Sequence, residues 1–147
     1  TTGVQTHVEV KPSHGLGHDT VAEMLRSAMD SAEADAAARM LREAEVEARR
    51  LLDAVDSALG SDEALLLPRE QFQILCAMQE VADLLEQCAQ GEGVGLAEQK
   101  ALREALRDAT EGLNLSTTGF AGRRMDARVR EALSGRSLED IANQGQA

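Results

Sequence analysis

The order of apolar and polar positions separates a short segment with strand spacing from a long remainder with helical spacing. Val4, Thr6, Val8 and Val10 alternate with Gln5, His7, Glu9 and Lys11, the period of two that describes one half-buried strand ending at Pro12. The sequence offers this strand no partner. A lone strand leaves its backbone donors and acceptors unpaired, so its sheet is expected in residues before Thr1 or in another chain. After Ser13-His14-Gly15-Leu16-Gly17 the period becomes helical. Val21, Met24, Leu25 and Ala28 begin it, and Leu41, Ala44, Ala48, Leu51, Leu52, Val55 and Leu59 continue it along one face. This predicts one long helix, or two joined by a kink near Asp30-Ser31, stopped by Gly60-Ser61. Acid–base pairs at i,i+4 line its flank: Asp35 with Arg39, Arg39 with Glu43, Glu45 with Arg49, and Arg49 with Asp53.

Pro68 suits the first turn of a second helix, whose apolar side carries Phe72, Leu75, Met78, Val81, Ala82, Leu85 and Cys88. Gly91-Glu92-Gly93-Val94-Gly95 breaks the pattern as a flexible interhelical loop. A third amphipathic stretch runs through Leu102, Ala105, Leu106 and Ala109. Gly112 and Ser116-Thr117-Thr118-Gly119 lower helix propensity, which predicts a bend or interruption before Phe120, Met125, Val129, Ala132 and Leu133. From Gly135 a frayed tail is expected. The fold class is therefore all-α: a long first helix feeding an antiparallel bundle, preceded by one orphan β-strand segment. The apolar stripe of the first helix has no partner inside that bundle. It should lie against the missing sheet or against a second copy, so self-association of the chain is expected.

Composition narrows the class further. The chain has 147 residues, ordinary for one domain, with 43% hydrophobic residues, two Phe, no Tyr and no Trp. A core of Leu, Ala, Val and Met is the palette of packed helices. Twenty-six acidic against 15 basic residues leave a formal charge of −11, which disfavours nucleic acid and anionic lipid as partners. No apolar run reaches the roughly 18 residues of a membrane span, and no signal peptide opens the chain, so no membrane association and a cytoplasmic location are expected. Thr1 in place of an initiator Met points, with the orphan strand, to a piece of a longer protein.

Candidate chemistry is sparse. Cys76 and Cys88 fall in one predicted helix, about 18 Å apart along its axis, too far for a disulfide, and read as small buried residues in a reducing compartment. Glu80, Asp83 and Glu86 surround them with the wrong charge for a reactive thiolate. His7, His14 and His18, with Asp19 nearby, lack the converging donors of a metal site and read as surface histidines. The glycine-rich loop follows a helix and lacks the Lys-Ser/Thr pair of a phosphate cradle. Ser13, His14 and Asp19 have no spacing that would bring a base to a nucleophile. Arg123, Arg124, Arg128, Arg130 and Arg136 form the one basic patch, and with no aromatic residues interleaved for base stacking they read as a solvated helix face. No catalytic residue, metal or cofactor is expected in this chain; physics alone stops at an acidic helical interaction module.

A family resemblance carries the reading further. Residues Gly3 to Ser13, then Gly15-Leu16 and Val21-Ala22-Glu23-Met24-Leu25, resemble the junction where DnaK-type chaperones pass from the last strand of the substrate-binding sandwich into the helical lid. Ala32-Glu33-Ala34-Asp35 resembles that family's lid signature. Ala38-Arg39-Met40-Leu41, Val46-Glu47-Ala48-Arg49-Arg50-Leu51-Leu52 and, most specifically, Phe120-Ala121-Gly122-Arg123-Arg124-Met125-Asp126 followed by Arg130, Ala132-Leu133 and Gly135-Arg136-Ser137 are similar to the HscA branch, which serves iron–sulfur cluster assembly.

The resemblance implies that residues 1–16 are a remnant strand and linker of the sandwich, 17–135 the lid and 136–147 a flexible tail. ATP and Mg would bind in a domain absent from this chain. The partners implied are the protein's own β-sandwich, an iron–sulfur scaffold protein as client and a J-domain cochaperone. It also implies a latch: the lid positions that grip the sandwich loops fall on Arg49 and Asp53, beside Leu51 and Leu52, with a charge order reversed from general DnaK lids. Val21, Met24 and Leu25 would hold the first helix on the sheet. Gly17 stands where a capping Ser, Thr or Asp is expected, so the first helix is expected to start later, with Asp19 as cap. The other readings are the lid of a general DnaK-type chaperone and a free-standing helical adaptor.

Overall fold

The computed structural model describes residues 17–91 and 93–144, with side chains to residue 135. The expected strand at residues 4–10 lies outside them. The described residues form three long helices: α1 (His18–Ser61), α2 (Pro68–Gln90) and α3 (Leu96–Gln144), with one 3₁₀ turn (Glu63–Leu65) between the first two. The chain divides into two compact units, residues 1–36 and 37–147.

In the first unit, every described residue from 17 to 36 is exposed. The Val21 N–H donates to the Gly17 carbonyl at 3.1 Å, so α1 begins on Gly17, and Asp19 sits inside the first turn rather than capping it. There is no break at Asp30-Ser31. The Ser31 hydroxyl donates to the Ser27 carbonyl at 2.8 Å, an i−4 bond that accommodates the serine within the helix.

The second unit packs the three helices around one seam. Along α1 the seam residues are Ala37, Leu41, Ala44, Ala48, Leu51, Val55 and Ala58; along α2 they are Ile74, Met78, Val81, Leu85 and Cys88; along α3 they are Leu102, Leu106, Ala109, Leu113 and Phe120. Each run alternates steps of four and three until α3 takes one longer step to Phe120. This 3.5-residue mean keeps an apolar stripe facing its neighbours in coiled-coil fashion. Ile74, Val81, Leu106, Leu113 and Phe120 are fully buried, and the alanines of α1 let the other helices approach. Arg103 on α3 reaches Met40 on α1, and Arg124 reaches Asp62 at the end of α1, so these two helices run in the same sense. α2 runs against both.

Two expectations about α2 and α3 are corrected. Phe72 and Leu75 are 70% and 49% exposed, and Ile74 takes the seam instead. Residues two apart on a helix face different sides, so the seam that holds Ile74 excludes Phe72. α3 is uninterrupted between Gly112 and Phe120. Thr117 and Thr118 hydroxyls donate to the Leu113 and Asn114 carbonyls, at 3.1 and 3.0 Å, and burial of Leu113 and Phe120 on either side outweighs the local propensity. Met125, Val129 and Leu133 stay exposed. α3 is helical through Gln144, past Gly135 where the sequence reading begins a flexible tail.

The connections are short and hydrogen-bonded. Leu65 and Leu66 N–H groups donate to the Asp62 and Glu63 carbonyls, and Pro68 opens α2 at its first turn. Between α2 and α3 the Val94 N–H donates to the Gly91 carbonyl at 3.1 Å, and Gly93 takes a φ of +96°, which only glycine adopts without strain. The Gln99 amide closes the turn onto the Val94 carbonyl at 3.1 Å.

The cysteines differ in environment. Cys76 is exposed, correcting its expected burial, whereas Cys88 lies in the seam. Burial pushes the Cys88 thiol above its ordinary pKa, and the nearby Glu45 carboxylate adds to the rise.

Three measurements test this packing. Phe120→Ala should cost about 3–5 kcal/mol in denaturant unfolding, and Phe72→Ala should stay within about 0.5 kcal/mol of the parent. Gly112 faces open space, so Gly112→Ala should stabilise α3 by roughly 0.5–1 kcal/mol; at Gly119 an added Cβ would meet Glu70 Oε1 at 2.9 Å, and that gain should be lost. A thiol reagent should label Cys76 in the native protein and Cys88 only after unfolding. Because the folded thiol pKa is raised, the contribution of Cys88 is intact below the unfolded value near 8.5 and is lost as pH rises through the folded value. Stability should thus fall above about pH 8.5 more steeply in the parent than in Cys88→Val.

Candidate functional site

α1 positions both groups of residues singled out from the sequence, one in each unit. In the first unit Val21, Met24 and Leu25 stand at i, i+3 and i+4, on one side of the helix, and Met29 extends them by one further turn. All four are exposed, Met24 and Leu25 at 59% and 61%. A helical stretch with no buried residue draws little stability from its own packing, and this apolar side is surface that another structure can cover.

In the second unit Arg49, Leu51, Leu52 and Asp53 occupy one turn of α1. Leu51 and Leu52 are half-buried and pack against the seam. Arg49 and Asp53 are exposed beside them. Arg49 Nη2 donates to Glu45 Oε2 at 2.9 Å, one turn towards the N-terminus, so its ion pair is with Glu45 and not with Asp53. Asp53 stands with Asp56 on the rim of a groove between α1 and α2, whose floor is Leu52, Leu75, Met78 and Ala82. The structure thus brings the four residues together as two leucines that anchor the turn and two charges presented to solvent. Val21, Met24 and Leu25 form a separate surface in the other unit.

Sequence reasoning missed a polar knot where α3 meets the α1–α2 connection. Arg123 Nε donates to the Leu65 carbonyl at 2.8 Å, and its Nη2 pairs with Glu70 Oε2. Glu70 also accepts the Leu67 backbone N–H at 3.4 Å. Arg124 Nε donates to Asp62 Oδ2 at 2.5 Å while its guanidinium lies 5.7 Å from the Phe120 ring centroid. Gly119 leaves the space Glu70 occupies. Arg123 and Arg124 are therefore tied into the fold, correcting their reading as a solvated face; Arg128 and Arg130 remain exposed. The available signal was the acid cluster Asp62, Glu63 and Glu70 in the connection, which needs basic residues to meet it.

Chemistry beyond binding finds little footing among the described residues. No group of three or more His, Cys, Asp or Glu side chains could hold a metal ion there. His18 is the one histidine of the three inside the described region, and His7 and His14 lie outside it. Ser13 and His14 are likewise outside. The groove between α2 and α3 is lined by Cys76, Gln79, Glu80, Asp83 and Asp108, an acidic surface with no base placed to activate the thiol. No described helix is long and apolar enough to cross a membrane.

What the helices can do is present surfaces, and comparison with known proteins shows where such surfaces occur. No protein-family profile matches the chain. It is 42% identical over 140 residues to a protein of Burkholderia cenocepacia described as "Chaperone protein HscA homolog", covering 95% of this chain and 20% of the relative. A protein of the same description from Mannheimia succiniciproducens is 40% identical over 141 residues, covering 96% and 21%. The "Chaperone protein HscA" of Yersinia enterocolitica is 38% identical over 141 residues, again 96% and 21%. The chain spans about a fifth of the length of these curated relatives. Over nearly its whole length, this chain, helical in its described residues, is homologous to one segment of the DnaK-type chaperone HscA.

Proposed function

We propose that this chain is the helical lid of an HscA-type chaperone, closing over a client peptide held in a β-sandwich and setting how long the client stays. The observation that carries the reading is the identity of about 40% to HscA proteins, spread over 95% of the chain and confined to a fifth of theirs. The exposed Val21, Met24 and Leu25 suit it, because a lid needs an apolar side with which to lie on a sheet.

A lid works on rates rather than on bonds. Its closure adds contacts that must break before the client can leave, so it acts on dissociation. In this reading Arg49 and Asp53 are the latch to the sandwich loops. Arg49 spends one donor on Glu45 and its guanidinium has five, so a second acceptor can be engaged without breaking the first bond. Leu51 and Leu52, packed on the seam, hold that turn in place. ATP and Mg belong to the nucleotide domain of the parent chaperone, the client is the iron–sulfur scaffold protein, the cochaperone carries a J domain, and the setting is cytoplasmic. The chain itself performs no catalysis.

Removing this segment from the parent chaperone should speed dissociation of a fluorescent client peptide by about tenfold or more, a loss of ~1.4 kcal/mol or more of closure energy. An unchanged rate, or ATP turnover by the purified chain, would overturn the lid reading. Within the parent chaperone, Arg49→Ala and Asp53→Ala should each raise the client off-rate a few-fold, about 1 kcal/mol for an exposed charged contact. Unchanged residence times in both variants would remove the latch and leave the lid.

A further inference from the structure

α3 carries a second apolar face besides the seam. Leu115, Met125, Val129 and Leu133 are 70%, 70%, 48% and 63% exposed. At 100° per residue they fall within an arc of about 80°, whose centre lies about 160° from the buried line of Leu106, Leu113 and Phe120. The stripe is about 27 Å long, with Thr118 and Gly122 exposed between its ends and nothing within 4 Å of a Cβ placed on Gly122. Facing away from the core, it cannot be covered by repacking within the bundle.

The charges beside the stripe point to its occupant. Asp108 and Glu111 are exposed at the Leu115 end, and Arg128, whose Nη2 lies 4.0 Å from Asp62 Oδ2, and Arg130 are exposed at the other. Arg107 and Glu111 both line the edge of the groove towards Glu47 on α1, with Glu111 also exposed to solvent. A second copy laid antiparallel, with Thr118 against Gly122, sets Leu115 opposite Met125 and Glu111 opposite Val129. Glu111 of each copy then lies beside Arg128 and Arg130 of the other, and Asp126 comes level with the neutral Asn114. A parallel arrangement would place acid on acid and base on base. The small side chains at the crossing let the helices approach closely.

We propose that the outer face of α3 is a self-complementary dimer surface, joining two copies of this chain antiparallel through Leu115, Met125, Val129 and Leu133. The interface is one helix wide and below the size of stable permanent dimers, so the association is weak and reversible. It rests on α3 alone and stands apart from the lid reading.

Sedimentation velocity on the 147-residue chain between about 1 µM and 1 mM tests it. A reversible monomer–dimer equilibrium is expected. Met125→Glu with Val129→Glu, at exposed positions, should raise the dissociation constant about tenfold or more with helicity unchanged, whereas Met24→Glu with Leu25→Glu should leave it unchanged. A chain monomeric throughout, or a dimer broken by the α1 pair and not by the α3 pair, would overturn the proposal. Charge reversal provides the second arm. Glu111→Arg should weaken the dimer, and adding Arg128→Glu and Arg130→Glu should restore it; failure to restore would reject the antiparallel pairing.

Discussion

The structure depends on an apolar seam whose mean spacing stays near 3.5 residues on three helices at once. On α1 four of the seven seam positions are alanine, Ala37, Ala44, Ala48 and Ala58, and the larger residues of α2 and α3 fill the space they leave. No buried polar or charged residue interrupts it among the described residues. A chain with two phenylalanines and no other aromatic residue can close a core this way because many small contacts, each weak, sum over three long stripes.

The polar knot limits how that seam can slide. Helices with uniform apolar stripes have several near-equivalent registers, and packing alone discriminates weakly among them. Arg123 holds both the Leu65 carbonyl and Glu70, and Arg124 holds Asp62, so α3 is pinned to the α1–α2 connection at one height. Gly119 leaves room for the Glu70 carboxylate beside α3, where an added Cβ would meet Oε1 at 2.9 Å. The hydroxyls in the stretch of low helix propensity return their hydrogen bonds to the helix's own backbone.

The two units divide labour between packing and presentation. Residues 37–135 hold the seam, and on their surface Arg49 and Asp53 are offered by a turn that Leu51 and Leu52 anchor. Residues 17–36 bury nothing of their own, which leaves Val21, Met24 and Leu25 available to another surface. A homologue of one segment of a larger chaperone is expected to look like this, with a core sufficient for itself and apolar sides that are meaningful only against something else.

Helical class, the ends at Ser61, Pro68 and Leu96, and most of the α1 seam were legible in the residues, because periodicity, proline and glycine are local signals. The grouping of Arg49, Leu51, Leu52 and Asp53 on one turn was legible for the same reason. Tertiary structure decided what several apolar stripes compete for: Ile74 over Phe72 for the seam, an inward Phe120 and outward Met125, Val129 and Leu133. It also decided that Arg123 and Arg124 cross to the far connection, whereas the Glu45–Arg49 pair, one turn apart on α1, was legible from its spacing. A helix side is read from spacing, but which side faces inward, and which charge meets which, depends on residues more than 50 positions away brought together by folding.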